Sequence, residues 1–257
     1  MNWNEIVSEV RGVIADATWS RMFRHSGIMR SSAYLPARLK RVFEGRYAMR
    51  ERAEIALAVA SMYPGGDYFE FGCAGFRTFR NFLTAFDLND RPALAPDTKF
   101  FAFDIFGDVD AGGGPRGESD YFEHYRGDDI YRENFKQLKR HRLLADRIEI
   151  VKGYFEDTLN EPFRARLRNE NRRVGFAFLD CNIGPSYKTC FDFLEEFIQA
   201  GRAFVYMDEY LCTGGVPELF DKFCVAVRER HQLRAHYVRN AGGFGALFCF
   251  MPAEPAP

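Results

Sequence analysis

The sequence predicts an α/β protein built on one mostly parallel sheet of seven strands. Two observations carry this prediction: five apolar, β-favouring segments alternate with segments of helical periodicity, and two further β-favouring segments follow across a glycine turn. Alternating strands and helices form parallel strands through right-handed crossovers, whereas strands joined by a short turn form an antiparallel hairpin. A chain of 257 residues, 47% of them hydrophobic, suits one such domain with a short extension.

The first part of the chain is interpreted as a helical extension. Apolar residues recur at helical spacing over residues 3–14 and again over 49–62. Basic residues dominate from Arg21 to Arg52, which is typical either of a solvated helical face or of a lid that meets an acidic substrate or partner. The predicted divisions are an N-terminal helical lid (1–63), the α/β domain (64–251) and a disordered tail (252–257).

The central element is a strand, a glycine turn and a helix between Gly66 and Leu83. The strand is predicted at 67–71 and the helix at 76–87, and such a turn directs backbone N–H groups and a helix N-terminus at a ligand. Glu70 would repel a pyrophosphate but suits a cationic ligand, and the dinucleotide pattern G-x-G-x-x-G is absent. S-adenosylmethionine, with its ammonium and sulfonium groups, is therefore predicted in preference to NAD.

The remaining elements repeat this plan. Further strands are predicted at 99–104, 147–151, 174–180 and 202–209, with helices at 128–141, after 153–159, at 187–198 and at 217–231. Residues 104–129 are rich in glycine and acidic residues, which indicates a long surface loop and a candidate substrate flap. The hairpin strands are predicted at 234–238 and 246–251, around Asn240–Gly243.

Carboxylates stand at the ends of four of the five strands predicted to be parallel. They are Glu70, Asp104, Asp180 and the pair Asp208–Glu209. These ends share one edge of an open α/β sheet, where ligands bind, although an aspartate after a strand is also a common helix N-cap. Asp104 would accept hydrogen bonds from a ribose diol. Asp180, Asp208 and Glu209 would offer Mg²⁺ a hard oxygen site, and the ion would lower the pKa of a substrate hydroxyl.

Four ordered motifs resemble the macrocin O-methyltransferase (TylF) family over about residues 64–211. They are 103–107, 151–159, 179–180 with 187–189, and 207–210. The resemblance implies a Rossmann-like class I methyltransferase sheet and a magnesium-dependent, S-adenosylmethionine-dependent O-methyltransferase acting on sugar hydroxyls of natural products. It implies cofactor contacts from Glu70, Phe71, Gly72, Asp104, Ile105, Gly153, Tyr154, Phe155 and Asp180, with Tyr154 and Phe155 against the adenine, and metal ligands Asp180, Asp208 and Glu209.

Three departures from the family pattern bear on the chemistry. Glu209 stands where a second aspartate is usual, and Gly75-Phe76-Arg77 replaces a paired glycine. Asn182 stands where the family carries its candidate general base, and an amide cannot accept a proton. Asp180 and Lys188 are therefore the predicted catalytic residues, with Lys188 acting as the base if burial near the ion lowers its pKa. His25, His124 or the metal alone are the alternatives.

The predicted function is a metal-assisted O-methyltransferase that acts on a hydroxyl of a small molecule or sugar. The alternatives are a metal-independent methyltransferase acting on nitrogen or on a nucleic acid, and a non-catalytic cofactor-binding or scaffold protein of the same fold. A net charge of −1 gives no reason to expect a nucleic-acid partner, and the oligomeric state stays open, a homo-oligomer included.

The cysteines and the hydropathy indicate a cytoplasmic protein without a membrane partner. Six cysteines without a C-x-x-C motif sit mostly in apolar segments, which is typical of buried thiols in a reducing compartment. Zinc is not expected. No signal-peptide pattern opens the sequence, and no apolar run approaches the ~20 residues of a membrane span.

Overall fold

The computed structural model describes the sheet domain and a short helical part of the preceding segment. The described residues are 52, 54–56, 58–60, 65–73, 76–88, 97–106, 145–181, 184–199, 203–211, 214–241 and 244–253. The helix predicted near residues 3–14, most of the predicted flap, the helix predicted at 128–141 and the end of the tail lie outside them. His25, His124 and Asn182 also lie outside the described residues.

Seven strands form one sheet, and each predicted strand is present. They are β1 (Asp67–Phe71), β2 (Phe100–Asp104), β3 (Ile148–Lys152), β4 (Val174–Leu179), β5 (Ala203–Met207), β6 (Leu233–Ala241) and β7 (Gly245–Pro252). The helices are α1 (Arg77–Leu88), α2 (Phe155–Thr158), α3 (Glu161–Asn169), α4 (Gly184–Phe197) and α5 (Val216–His231), and a 3₁₀ turn (Ala145–Arg147) precedes β3.

The spatial order of the strands is β3-β2-β1-β4-β5-β7-β6. Strands β1 to β5 are parallel, and β7 runs antiparallel between β5 and β6. The prediction of a parallel sheet with one antiparallel strand is therefore confirmed. The order reverses between β1 and β4, where ligands bind in sheets of this kind.

The reversal brings the ends of β1 and β4 side by side. Phe71 pairs with Leu179 in the parallel register, so that Gly72 and Asp180, the next residues of the two strands, become neighbours. Because right-handed crossovers send the chain first to β2 and β3 and then back to β4, residues about 110 positions apart in the sequence meet there.

Aromatic layers cover both faces of the sheet. Phe71 and Phe103 stack at a centroid distance of 4.8 Å on one face, and Phe193 of α4 packs against both rings. On the other face Tyr68 stacks on Phe82 of α1 at 4.5 Å. Strands buried on both faces appear in the sequence as nearly continuous apolar runs, which is why they were predictable.

The boundaries differ from the prediction by one to three residues at several places; β5, for example, ends at Met207, two residues before the predicted end. α4 begins at Gly184, three residues before the predicted start, because Pro185 is tolerated in the first helical turn, where its missing N–H would have no partner. The third strand starts at Ile148 after the 3₁₀ turn, and β6 extends to Ala241 as it follows β7 along the hairpin.

Residues 52, 54–56 and 58–60 are helical, as the spacing over 49–62 predicts. Ile55, Ala56, Val59 and Ala60 are buried in the core of the sheet face that Tyr68 and α1 occupy. Residues three and four positions apart share a helix face, so Arg52 lies at the end of this buried stripe. A charged residue on such a face needs a partner.

The described cysteines agree with the prediction of reduced, buried thiols. Cys73, Cys181, Cys190 and Cys249 are buried free thiols, and Cys224 is half-buried. Within the described ranges no helix combines the length and the apolar character that crossing a membrane requires.

Asp67, at the start of β1, is a buried carboxyl group far from the carboxyl ends of the strands. Its Oδ1 accepts the backbone N–H of Lys99 at 2.7 Å and lies 3.4 Å from Nη1 of Arg172. Burial outweighs these donors and raises the pKa of Asp67 to about 6. A carboxyl group whose folded pKa is raised stabilises the fold at low pH, and this stabilisation is lost as the pH rises through the folded value.

Asp67→Asn is expected to gain stability relative to the wild type between about pH 4 and pH 7. The amide never ionises, and it keeps an oxygen for the N–H of Lys99. The gain is at most about 3 kcal/mol, since one pKa unit corresponds to about 1.4 kcal/mol. Urea unfolding at both pH values measures the difference. If the difference in unfolding free energy between the two proteins did not change with pH, or if it favoured the wild type at pH 7, the pairing of Asp67 with Arg172 would outweigh the effect of burial.

Candidate functional site

The turn after β1 lies directly on the exit of β4. Gly72 has φ +86°, and a Cβ atom there would stand 1.9 Å from the backbone oxygen of Asp180. The N–H of Asp180 donates to the carbonyl of Phe71 at 2.8 Å, and Gly72 donates to Phe103 at 2.9 Å. Only glycine fits this backbone conformation and this contact.

Glu70 is a buried carboxyl group with one unused oxygen. It is 1% exposed, and its Oε2 accepts the hydroxyl of Tyr68. Oε1 has no hydrogen-bond partner among the described residues. Burial raises the pKa of Glu70 well above its usual value, and the nearby Asp180 adds to the shift. A buried oxygen without a donor is costly, and a cationic ligand group would remove that cost.

Asp104 ends β2 and holds the turn that follows. Its Oδ1 accepts the N–H of Phe106 at 3.1 Å, and Ile105 between them is half-buried. Phe106 and Phe76, at φ +47° and +58°, both adopt the left-handed conformation, and their rings stack at 4.9 Å. Non-glycine residues in this conformation are strained and tend to cluster at functional sites. The departure at Phe76 from the family's glycine turn therefore coincides with a strained backbone.

The parallel register brings the carboxyl ends of β1, β2 and β4 side by side. Phe71 pairs with Phe103 on one side and with Leu179 on the other, so Asp104 and Asp180 follow on either side of Gly72. Burial raises the pKa of the nearby Cys73 thiol well above its usual value, and Glu70, Asp104 and Asp180 raise it further.

The exit of β3 adds the residues predicted to face the adenine. Gly153, at φ +141°, donates its N–H to the carbonyl of Asp104 at 3.0 Å. Tyr154 is 37% exposed. Phe155 packs edge-on against Phe71, with a centroid distance of 5.9 Å. Phe71 itself is wholly buried, and its carbonyl accepts the N–H of Asp180.

Asp180, Asp208 and Glu209 form one cluster, here called the acidic cluster. Each offers an oxygen within 4.8 Å of the others. The Tyr187 hydroxyl lies 2.5 Å from Oε2 of Glu209 and 3.2 Å from the carbonyl of Leu179. Burial raises the pKa of Asp180 and of Glu209, and the charge of Asp208 adds to both shifts.

Arg52 contacts two members of the acidic cluster. Its Nε donates to Oδ1 of Asp208 at 2.9 Å, Nη2 donates to Oδ2 of the same residue, and Nη2 lies 3.5 Å from Oδ2 of Asp180. Burial acts to lower the pKa of Arg52, but the two carboxylates outweigh it and raise the pKa above its usual value. The guanidinium carbon lies 5.9 Å from the centre of the Phe178 ring.

Sequence reasoning missed this role of Arg52, because it counted the residue only within the basic stretch from Arg21. The signal was available: the helical spacing places Arg52 on the same stripe as Ile55 and Val59, which are buried. A guanidinium on an apolar stripe indicates a buried acidic partner.

The prediction of Lys188 as a general base required burial near the ion. The side chain is 64% exposed on α4 and forms an ion pair with Asp192. The burial that this role required is absent, so the role predicted for Lys188 is not proposed further. The preceding residue, Tyr187, is the member of α4 that is buried against the acidic cluster.

No protein-family model matches the chain, and no curated protein matches it in sequence. Solved structures do share its fold. The O-methyltransferase NovP aligns with a TM-score of 0.53 at 16% identity, over 79% of this chain and 80% of that one. CalS11, a calicheamicin methyltransferase, aligns at 0.51 and 18% over 91% of each chain. The O-methyltransferase TomG from Streptomyces achromogenes, solved with SAM, aligns at 0.51 and 13% over 79% and 80%.

The likeness covers most of each chain, at identities that show a common fold. The seven-stranded sheet of this chain, with its one antiparallel strand, therefore belongs to the fold that these methyltransferases share. The protein therefore has the class I methyltransferase fold.

Proposed function

We propose that the chain is an S-adenosylmethionine-dependent O-methyltransferase acting on a hydroxyl of a small molecule or sugar, such as a natural product or glycan. One observation carries the proposal: the sheet register places Glu70, Asp104 and Asp180 at the neighbouring ends of β1, β2 and β4, around the Gly72 turn at the switch point of the sheet. The names of NovP, TomG and CalS11 as methyltransferases, two of them O-methyltransferases, support the reaction. The macrocin-type acceptor, a sugar hydroxyl, belongs to the same proposal.

The residues of the turn suit this cofactor. The unused oxygen of Glu70 is a buried acceptor that fits an ammonium group. Asp104 would accept from the ribose hydroxyls, and the exposed ring of Tyr154 would cover the adenine. When bound, S-adenosylmethionine would supply a methyl group made electrophilic by its sulfonium centre. The cytoplasmic location and a homo-oligomeric state stay predictions from the sequence.

Asp180 is the proposed catalytic residue. It lies between the Gly72 turn and the other two members of the acidic cluster, next to both the cofactor residues and the open end of β5. Its carboxyl group would accept the hydrogen bond of the acceptor hydroxyl and orient that oxygen. The acidic cluster has the oxygen ligands that Mg²⁺ prefers, but in the described arrangement Arg52 already pairs with Asp208, so no step is assigned to a metal ion.

The cofactor assignment is tested by calorimetry with S-adenosylhomocysteine. The wild type is expected to bind one equivalent with a dissociation constant on the order of 10 µM. Asp104→Ala is expected to weaken binding by about tenfold or more, because hydrogen bonds to a charged group are lost. Asp192→Ala, which removes an exposed carboxylate on α4, is the matched control and should bind as the wild type does.

The proposal would be abandoned if the wild type bound no S-adenosylhomocysteine at millimolar concentration, or if Asp104→Ala and Asp192→Ala bound it equally well. Incubation with methyl donor and a panel of sugar and phenol acceptors, followed by mass spectrometry of the products, then tests the acceptor class.

A further inference from the structure

We propose that Arg52 is the resident cation of the acidic cluster, and that its guanidinium takes the place a divalent metal ion would occupy. The site then works without a divalent ion. The contacts of Asp208 carry this inference. Its Oδ1 accepts from Nε of Arg52 and from the Tyr206 hydroxyl, both at 2.9 Å, and its Oδ2 accepts from Nη2 of Arg52. Both oxygens of this carboxylate are therefore engaged in a two-point pair, the geometry in which arginine binds carboxylates most strongly.

The other two members of the acidic cluster are also engaged. Nη2 of Arg52 reaches Oδ2 of Asp180 at 3.5 Å, so one guanidinium spans two of the three carboxyl groups. Oε2 of Glu209 accepts the hydroxyl of Tyr187 at 2.5 Å. A divalent ion on Asp208 would compete with the guanidinium, because both oxygens of that carboxylate already accept from Arg52 and the two cations would repel each other at this distance.

Arg52 is held in place by the helix that carries it. Ile55 and Ala56, then Val59 and Ala60, are buried against the sheet one and two turns further along the same stripe. The arginine side chain is 16% exposed, and its guanidinium lies over Phe178 of β4. Because these apolar residues fix the orientation of the helix on the sheet, they also fix the side of the helix from which Arg52 extends towards the acidic cluster. A variant without it would leave carboxyl groups buried and uncompensated.

Manganese binding tests the inference directly, because Mn²⁺ takes the same oxygen ligands as Mg²⁺ and its binding can be followed by electron paramagnetic resonance. The wild type is expected to leave Mn²⁺ unbound at about 1 mM, and Arg52→Met to bind one ion at least about tenfold more tightly. The double variant Arg52→Met with Asp208→Asn should lose that ion. Arg166→Met, which removes a guanidinium paired with Glu149 at the surface, is the matched control and should behave as the wild type does.

Tight binding of one Mn²⁺ by the wild type, lost in Asp208→Asn, would overturn the inference, and this measurement does not require the Arg52 variant to fold. Equal Mn²⁺ affinity in the wild type and Arg52→Met would overturn it as well. A separate activity measurement rests on the proposed function: methyl transfer is expected to survive EDTA. Failure of the proposed function and failure of this inference are distinguishable, because S-adenosylhomocysteine binding tests the function without metal, whereas Mn²⁺ binding tests the role of Arg52 without turnover.

Discussion

Gly72→Ala is expected to destabilise the protein by at least about 3 kcal/mol, and so to remove most of the stability of a typical domain. The new methyl group would stand 1.9 Å from the backbone oxygen of Asp180, and the residue would have to keep a φ of +86°. Neither the ends of β1 and β4 nor the turn can move independently, because Phe71 and Leu179 are paired in the sheet. Urea unfolding and thermal denaturation measure the loss.

Gly214→Ala is the matched control for this substitution. Among the residues that the structure describes, nothing lies within 4 Å of a Cβ atom built at Gly214. Its stability should stay within about 0.5 kcal/mol of the wild type. If Gly72→Ala unfolded at the same urea concentration as Gly214→Ala, the close contact between the β1 turn and the β4 exit would be refuted.

Glu70→Gln is expected to weaken the binding of S-adenosylhomocysteine on the order of 10- to 100-fold, without loss of folding stability. Both results have one cause. In the free protein, burial raises the pKa of Glu70 well above its usual value, so the carboxyl group is costly to ionise and a neutral amide replaces it without penalty. In the complex, the ligand ammonium would lose its charged acceptor. Calorimetry and urea unfolding measure the two effects separately.

A protonation readout separates this role from a merely structural one. If the ligand ammonium lets Glu70 ionise, binding releases a proton, and the measured heat depends on the ionisation enthalpy of the buffer. Glu70→Gln should lose that dependence, whereas Glu156→Gln, an exposed residue of α2, should keep it and bind normally. Loss of affinity in parallel with loss of stability would assign Glu70 to the core instead.

The strands of this protein were predictable because their environment is uniform. A strand that is covered on both faces needs apolar residues at nearly every position. It ends at the open edge of the sheet, where a carboxylate can be hydrated or paired. The segment of β4, apolar from Val174 to Leu179 and followed by Asp180, shows the pattern in full. The hairpin was predictable from its glycines, and the fold class followed from the order of the elements.

The choice between neighbouring residues on α4 was not predictable in the same way. Tyr187 and Lys188 are adjacent in sequence but about 100° apart around the helix, so that one is buried against Glu209 and the other is exposed. Periodicity shows that a helix has a buried face. Which side chain of that face reaches the acidic cluster depends on how α4 packs on the sheet.

By itself the sequence determined the order of strands and helices, the glycine turn after β1 and the row of carboxylates at the strand ends, because each depends on local periodicity and backbone conformation. Only the tertiary structure decided which cation those carboxylates meet. Arg52 and Asp208 are 156 positions apart, and their pairing depends on the packing of a helix before β1 across the sheet towards β5. The apolar stripe marks Arg52 as a buried cation, but no local pattern in either segment names its partner. That is the physical reason the acidic cluster could be predicted from the sequence while its pairing with this arginine could not.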